Sequence, residues 1–513
     1  MNRLGKYLTL ILVAYLSVIG ISEAQELDKH LIGYYTSWSI YARDYHVPDI
    51  PADQISHINY AFANISASAG TIILGDSYAD IDRFYPGDSW EPGSLRGCFH
   101  QLQILKEQHP HLKTFISVGG WTWSGYFSDV ALTEQSRHTF AVSCAAFIDQ
   151  YDFDGVDIDW EYPVSGGLPG NHYRPEDREN YTLLMAELRA HLDSLEDVNG
   201  REYLLTIAAP ANPDIIANIE VDLIHQYLDW INIMTYDFHG PWGGDLDPVT
   251  NFNSPLYMSL DDPLEEPAHS SFNLEAAVQA YLDLGVPADK INPGLAFYGR
   301  GFGNVADVND GLYAYYQGAA PVGTWENGVF DYWDLAQNYV NTGGYTAYRH
   351  DQARVPWLYN QSAHIMISYD DSLSIAEKGL FVVDNNLGGA MFWEFSGDKY
   401  GVLLSSIHDA LSQATDIADN ITGALPQSIE LHQNYPNPFN AQTKLAFTLS
   451  QPAQVTIDIY GLLGQRVATL GDGYYTAGDH QLIWNADAET SGVYFVRLQA
   501  GETVLARRML LIK

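Results

Sequence analysis

Residues 154–163 read DGVDIDWEYP. Asp154, Asp157, Asp159 and Glu161 are interleaved with Val156, Ile158, Trp160 and Tyr162. In a strand, alternate side chains share a face. Asp157, Asp159 and Glu161 therefore point one way, and Val156, Ile158, Trp160 and Tyr162 the other. Same-face neighbours lie about 6.6 Å apart. The apolar face needs a covering layer. The acidic face fits either a solvated edge strand or the inside of a closed barrel, and the surrounding sequence decides between them.

Strand-like apolar runs recur at Leu31–Trp38, Ile55–Ile65, Lys113–Trp121, Phe153–Tyr162, Tyr203–Pro210, Trp230–Phe238, Lys290–Gly299 and Gly388–Phe395. Amphipathic stretches such as Phe99–His109, Ser136–Gln150, Arg178–Leu195 and Leu274–Leu284 lie between most of them. Eight strand-then-helix repeats predict an α/β chain with a (β/α)8 TIM barrel, expected over residues 28–412. Such a barrel leaves no edge strand facing solvent, so the acids point inward, toward the mouth at the strands' carboxyl ends. About ninety residues separate the last two strands, and the Tyr-, Trp- and Gly-rich stretch 304–361 reads as an inserted α+β subdomain.

The chain has 513 residues and a net charge of −39, which disfavours nucleic acid and anionic membrane surfaces as partners. Residues 1–24 read as a signal peptide: Arg3 and Lys6, a short apolar run from Leu8 to Ile21, and Ser22-Glu23-Ala24 at the cleavage point. No later apolar run is long enough to span a membrane. Cys98 and Cys144 suit either a bridge or two buried thiols. Residues 413–428 are small and polar, as in a linker. Short alternating strands in 429–513 predict a small β-sandwich. The 17 histidines show no HExxH-type clustering, and no phosphate-binding glycine loop is present, so no metal site and no cofactor is expected. His239 reads as a packing or hydrogen-bonding residue.

Carboxylates packed this closely cannot all ionise freely, so at least one pKa must rise. A raised carboxyl pKa is what a general acid requires near neutral pH. The spacing suits glycoside hydrolysis by a carboxyl pair without choosing its mechanism. Asp154 falls on the other face and reads as structural.

DGVDIDWEYP resembles the DxxDxDxE signature of glycoside hydrolase family 18, the chitinases. SVGGW at 117–121 resembles that family's SxGG element, MTYDF at 234–238 its Met-x-Tyr-Asp, and FYGR at 297–300 and GGAMFWEF at 388–395 its last two strands. The insertion resembles the chitin-insertion domain of the deep-groove subgroup. The resemblance implies substrate-assisted catalysis with retention: Glu161 as acid and base, Asp159 holding the substrate's acetamido group, Asp157 tuning Asp159, and Tyr236 aligning the acetamido carbonyl. It also implies a groove for N-acetylglucosamine polymers. Trp393 would form its floor and Trp121 and Trp242 its leaving-group side. Asp237, Tyr298, Arg300 and Met234 would lie around the cleavage point, Tyr162 would form a wall, and Tyr34 and Ser117 would sit beneath Asp157. Trp123 and Phe127 either extend the groove or pack.

The tail runs from LHQNYPNPFN (431–440) through DIYGLLGQRV (458–467) to a basic ending with Arg507, Arg508 and Lys513. It resembles the C-terminal sorting domain of the type IX secretion system. That implies a Gram-negative bacterium, and a protein that is extracellular or on the cell surface. An endo-β-N-acetylglucosaminidase and a non-catalytic chitin-binding protein are the alternatives on the same scaffold.

Overall fold

The structure is a computed structural model that describes residues 27–513 except 244–246, 267, 421–429 and short stretches of the tail (432–433, 435–436, 438, 450–452, 462–464, 476–477, 487–488, 501–502 and 512). The expected signal peptide and residues 421–428 of the expected linker lie outside the described residues. The described chain forms two compact units, divided after Thr415.

Eight parallel strands close the first unit into a barrel: His30–Thr36, His57–Ile65, Lys113–Gly119, Gly155–Asp159, Leu204–Ala209, Trp230–Ile233, Ile291–Ala296 and Gly389–Trp393. The first strand pairs with both the second and the last, Gly33 lying opposite Ile58 on one side and Phe392 on the other. Helices cover the outside. The alternation expected along the fourth strand holds: Val156 and Ile158 are fully buried in the core between barrel and helices, while Asp157 and Asp159 face inward. The barrel interior carries Ile32, Tyr34, Phe115, Trp230 and Met391. At the strands' amino-terminal end the Trp230 ring lies 4.4 Å from His30, 4.8 Å from His57 and 5.5 Å from Phe115, a plug of rings packed at an angle to one another.

Local signals set the helix ends. Thr133 caps the helix Glu134–Tyr151 by accepting from the Ser136 amide, and Asp152 stops it in a left-handed conformation (φ 62°). The helix Asp177–Asn199 ends at Gly200, φ 72°.

The insertion is wider than its sequence suggests. Its five-stranded antiparallel sheet uses Tyr298–Phe302, Val329–Asp331, Thr346–Arg349, Pro356–Asn360 and Ile365–Ser368. The expected strand Lys290–Gly299 is thus two strands: the barrel takes Ile291–Ala296, and the chain turns at Phe297 into the insertion sheet. The Phe297 amide donates to the Trp393 carbonyl (2.8 Å), and its carbonyl accepts from Tyr332 (3.1 Å). Continuous apolarity hid this break, since both sheets bury their strands. Likewise the sixth barrel strand ends at Ile233 rather than Phe238. The final helix, Val402–Asn420, carries helical backbone into the stretch expected to be linker.

The second unit stacks a three-stranded and a four-stranded antiparallel sheet, as in a small β-sandwich. Its core includes Phe447, Ile457, Trp484, Tyr494, Val496 and Met509. The strand Arg466–Tyr475 runs through GDGYY, where the apolar alternation breaks. No described helix is long and apolar enough to cross a membrane. Cys98 and Cys144 are both free and buried.

Candidate active site

Asp157 sits at the centre of the barrel, fully buried. Its carboxylate accepts from the hydroxyls of Thr206 (2.6 Å), Tyr34 (2.7 Å) and Ser117 (2.7 Å), with the Asn232 amide at 3.5 Å. Burial pushes its pKa up, and these donors pull against that rise. Tyr34 and Ser117 thus contact Asp157 as expected. Thr206 and Asn232 complete the cradle, and sequence reading missed them: each is an ordinary polar residue in an apolar strand, placed beside Asp157 only by barrel register.

Asp159 lies one inward position further along. Its Oδ1 is buried and has no hydrogen-bond partner. Burial, then the charges of Glu161 and Asp157, push its pKa well above the usual carboxylate range. Asp159 is thus pushed further toward its protonated form than Asp157, whose cradle of donors favours the anion.

Glu161 lies two residues beyond the last strand residue, Asp159, and is 9% exposed. Burial pushes its carboxyl up to about 7; a Tyr162 hydrogen bond works against the rise and the Asp237 charge adds to it. The strand ends at Asp159, so alternation no longer governs Tyr162. That ring leaves the helix-facing side expected from spacing and stays half-buried beside Glu161. Trp160 does obey the alternation, packing between Phe127 and Tyr181 at 5.4 and 5.1 Å.

The Glu161 backbone is held from outside the signature. Its amide donates to Ser124 Oγ (2.9 Å), and its carbonyl accepts from Asn171 Nδ2 (3.1 Å). Ser124 Oγ also lies 3.1 Å from the Asp159 carbonyl. Two glycines permit the close packing. A Cβ on Gly119 (φ 107°) would lie 2.3 Å from the Asp159 carbonyl oxygen, and one on Gly167 would lie 2.2 Å from that of Glu161. Ser124, Asn171 and Gly167 carried no sequence signal, because their role is to support backbone across loops.

Tyr236 follows the sixth strand, its hydroxyl 3.8 Å from Met391 Sδ and its ring 6.1 Å from Tyr298. Burial raises its pKa well above normal, so the phenol remains a hydrogen-bond donor. Asp237 takes a left-handed conformation (φ 56°) and accepts two bonds from Arg300, at 2.7 and 2.6 Å. The guanidinium in turn lies over the rings of Tyr298 (5.1 Å) and Trp242 (5.6 Å). Trp393 stacks on Phe62 at 5.7 Å and lies 5.4 Å from Tyr34 and 6.3 Å from Trp38. Met234 packs with it against the interior cluster. Trp121 and Trp242 are 48% and 54% exposed. Phe127 is fully buried and fills space, while Trp123 is half-buried and packs on the interior cluster beside Trp393 and Tyr236.

Asp154 is tied into the base of the strand, accepting from the Thr114 amide (2.8 Å), Lys106 (3.1 Å) and Arg201 (2.5 Å). His239 is buried against Asp247, Nδ1 to Oδ1 3.0 Å.

Residues 30–398 match the glycosyl hydrolases family 18. The chain belongs to glycosyl hydrolase family 18. Among other members, chitinase A1 of Niallia circulans is 45% identical over 415 residues, 75% of this chain and 59% of that protein, so this chain spans less than two thirds of that relative. Chitinase 1 of Aphanocladium album is 38% identical, covering 74% of this chain and 84% of its own length. Among solved structures, chitinase ChiA74 from Bacillus thuringiensis superposes with a TM-score of 0.70 at 34% identity, covering 94% of this chain and 84% of that one. This family 18 chain also carries a tail, residues 433–513, that matches the secretion system C-terminal sorting domain, a module of secreted or surface proteins.

Proposed function

We propose that this family 18 member is a secreted chitinase. It hydrolyses β-1,4 bonds of N-acetylglucosamine polymers with retention, using the substrate's own acetamido group as nucleophile. The observation that carries this reading is the buried, partnerless Asp159 Oδ1 between a four-donor Asp157 and a Glu161 whose pKa is about 7. A lone buried acceptor is costly unless a ligand donor fills it, and an acetamido N–H is such a donor.

In the reaction Glu161 gives its proton to the glycosidic oxygen as the bond from the anomeric carbon to that oxygen breaks. The acetamido oxygen attacks the same carbon from the opposite face, forming an oxazolinium ion. Asp159 shifts its proton toward Asp157, and its freed oxygen accepts the acetamido N–H while positive charge builds. Tyr236 donates to the acetamido oxygen and holds it in line. Glu161, now ionised, takes a proton from the incoming water, whose oxygen opens the ring of the intermediate. Two inversions at one carbon leave the β configuration.

Trp393 supports the reacting sugar by stacking. Trp121 and Trp242 do so for neighbouring sugars, the latter steadied by the Arg300–Asp237 pair. The tail supports export through the type IX machinery of a Gram-negative cell. The leader at residues 1–24 and the division into a barrel over 28–412 and a sorting domain over 429–513 belong to the same reading.

The test follows the length and anomeric form of products from N-acetylglucosamine oligomers over time. Shortening with β-anomers first is expected. Initial α-anomers would exclude the acetamido route. Tight binding without shortening would leave a glycan-binding protein, and release of intact N-glycans without oligomer cleavage an endo-β-N-acetylglucosaminidase.

A further inference from the structure

Three ligand-type atoms converge in the outer helical layer, on residues the catalytic reading does not use. His138 lies in the helix Glu134–Tyr151, and Glu187 and His191 lie one turn apart in Asp177–Asn199. His138 Nδ1 is 3.0 Å from Glu187 Oε1, His191 Nε2 is 3.2 Å from the same oxygen, and the two ring nitrogens are 3.1 Å apart.

Protons alone satisfy this triangle poorly. A neutral imidazole nitrogen either donates or accepts, and a carboxylate oxygen only accepts. If both nitrogens carry hydrogen, both donate to Oε1 and two N–H groups crowd each other along the third edge. If only one does, a bare nitrogen faces the carboxylate oxygen or the other ring. A cation among the three instead receives three inward lone pairs. Ligands about 2.0–2.2 Å from a tetrahedral ion lie roughly 3.4 Å apart, so the triangle needs to open by only a few tenths of an ångström. The His138 side chain, 51% exposed, has the freedom to move, while Glu187 and His191 at 28% and 23% are the fixed side.

We propose that His138, Glu187 and His191 form a binding site for a divalent transition metal of the zinc type, with water as fourth ligand, that pins one barrel helix to the next. Two imidazoles and a carboxylate suit such ions and disfavour Mg2+ and Ca2+, which take all-oxygen shells. The chain's net charge of −39 favours cation capture. The motif escapes sequence reading because His138 lies 49 residues before Glu187.

The test uses the untagged full-length chain, stripped with chelator and titrated with Zn2+ by calorimetry. One saturable site is expected, with a rise in melting temperature and no competition from Mg2+. Co2+ should give the visible absorption of a four-coordinate site. His138→Asn and His191→Asn should each weaken Zn2+ binding about tenfold or more and remove the Co2+ spectrum, with circular dichroism and oligomer cleavage unchanged. Absence of saturable binding, or undiminished binding and spectrum in the H138N/H191N double variant, would overturn the site.

Discussion

At Glu161 two demands conflict. Catalysis wants a carboxyl that is still protonated near neutrality; folding resists burying one that ionises. Burial pushes the carboxyl up to about 7, which suits the acid role proposed for it. Since the folded-state pKa lies above the ordinary 4.5, the native state binds more protons than the unfolded chain between these values. This group's contribution is intact below pH 4.5 and is lost as pH rises to about 7. Glu161→Gln should therefore melt higher than the parent at pH 8 and match it at pH 4, by at most about 3 kcal/mol. Its turnover should fall about 10²–10⁴-fold or more while oligomers still bind. Equal melting curves at both pH values would show that the carboxyl is not desolvated. In the parent, kcat/KM should decline on the basic side near pH 7, as the acid form is lost. A profile flat into strong alkali would assign the acid role elsewhere.

At the scale of elements, strands position the acids and loops keep them in place. Ser124 accepts the Glu161 amide from a loop after the third strand. Ser124→Ala should lower kcat about ten- to a hundredfold and leave KM within about twofold, because it displaces the acid without touching the sugar. A rise in KM alone would make Ser124 a binding residue. Asp154 does the opposite job at the strand's start. Asp154→Ala removes one of two acidic partners from Lys106 and from Arg201, Asp152 remaining with both, and leaves the Thr114 amide without its acceptor, so the loss should be about 1–3 kcal/mol by urea unfolding, with kcat of the folded fraction unchanged. The strand bearing these acids was legible in DGVDIDWEYP because period-two alternation reports a face directly. So were the eight barrel strands, whose expected ranges contain most of each observed strand. The break at Phe297 was not legible, since an apolar run reads the same whether one sheet or two bury it. Nor were Thr206, Asn232 and Ser124, whose importance comes from what register and loop packing bring opposite them.

Over the whole molecule, the barrel and the sandwich each own a closed hydrophobic core. A chain ending at Thr415 should cleave soluble oligomers with kcat/KM within about twofold of the full-length protein, and a tenfold loss would mean the tail takes part. The negative charge that disfavours nucleic acid is no obstacle to an uncharged polysaccharide. The packed rings of Trp230, His30, His57 and Phe115 have a further effect. They make the barrel a cup with a floor and no drain. In the proposed reaction, substrate, solvent and both products would share one opening, so the water that completes the cycle must take the place the departing sugar vacates. Under the proposed reaction, turnover obeys a queue: the second half waits for the first fragment to leave.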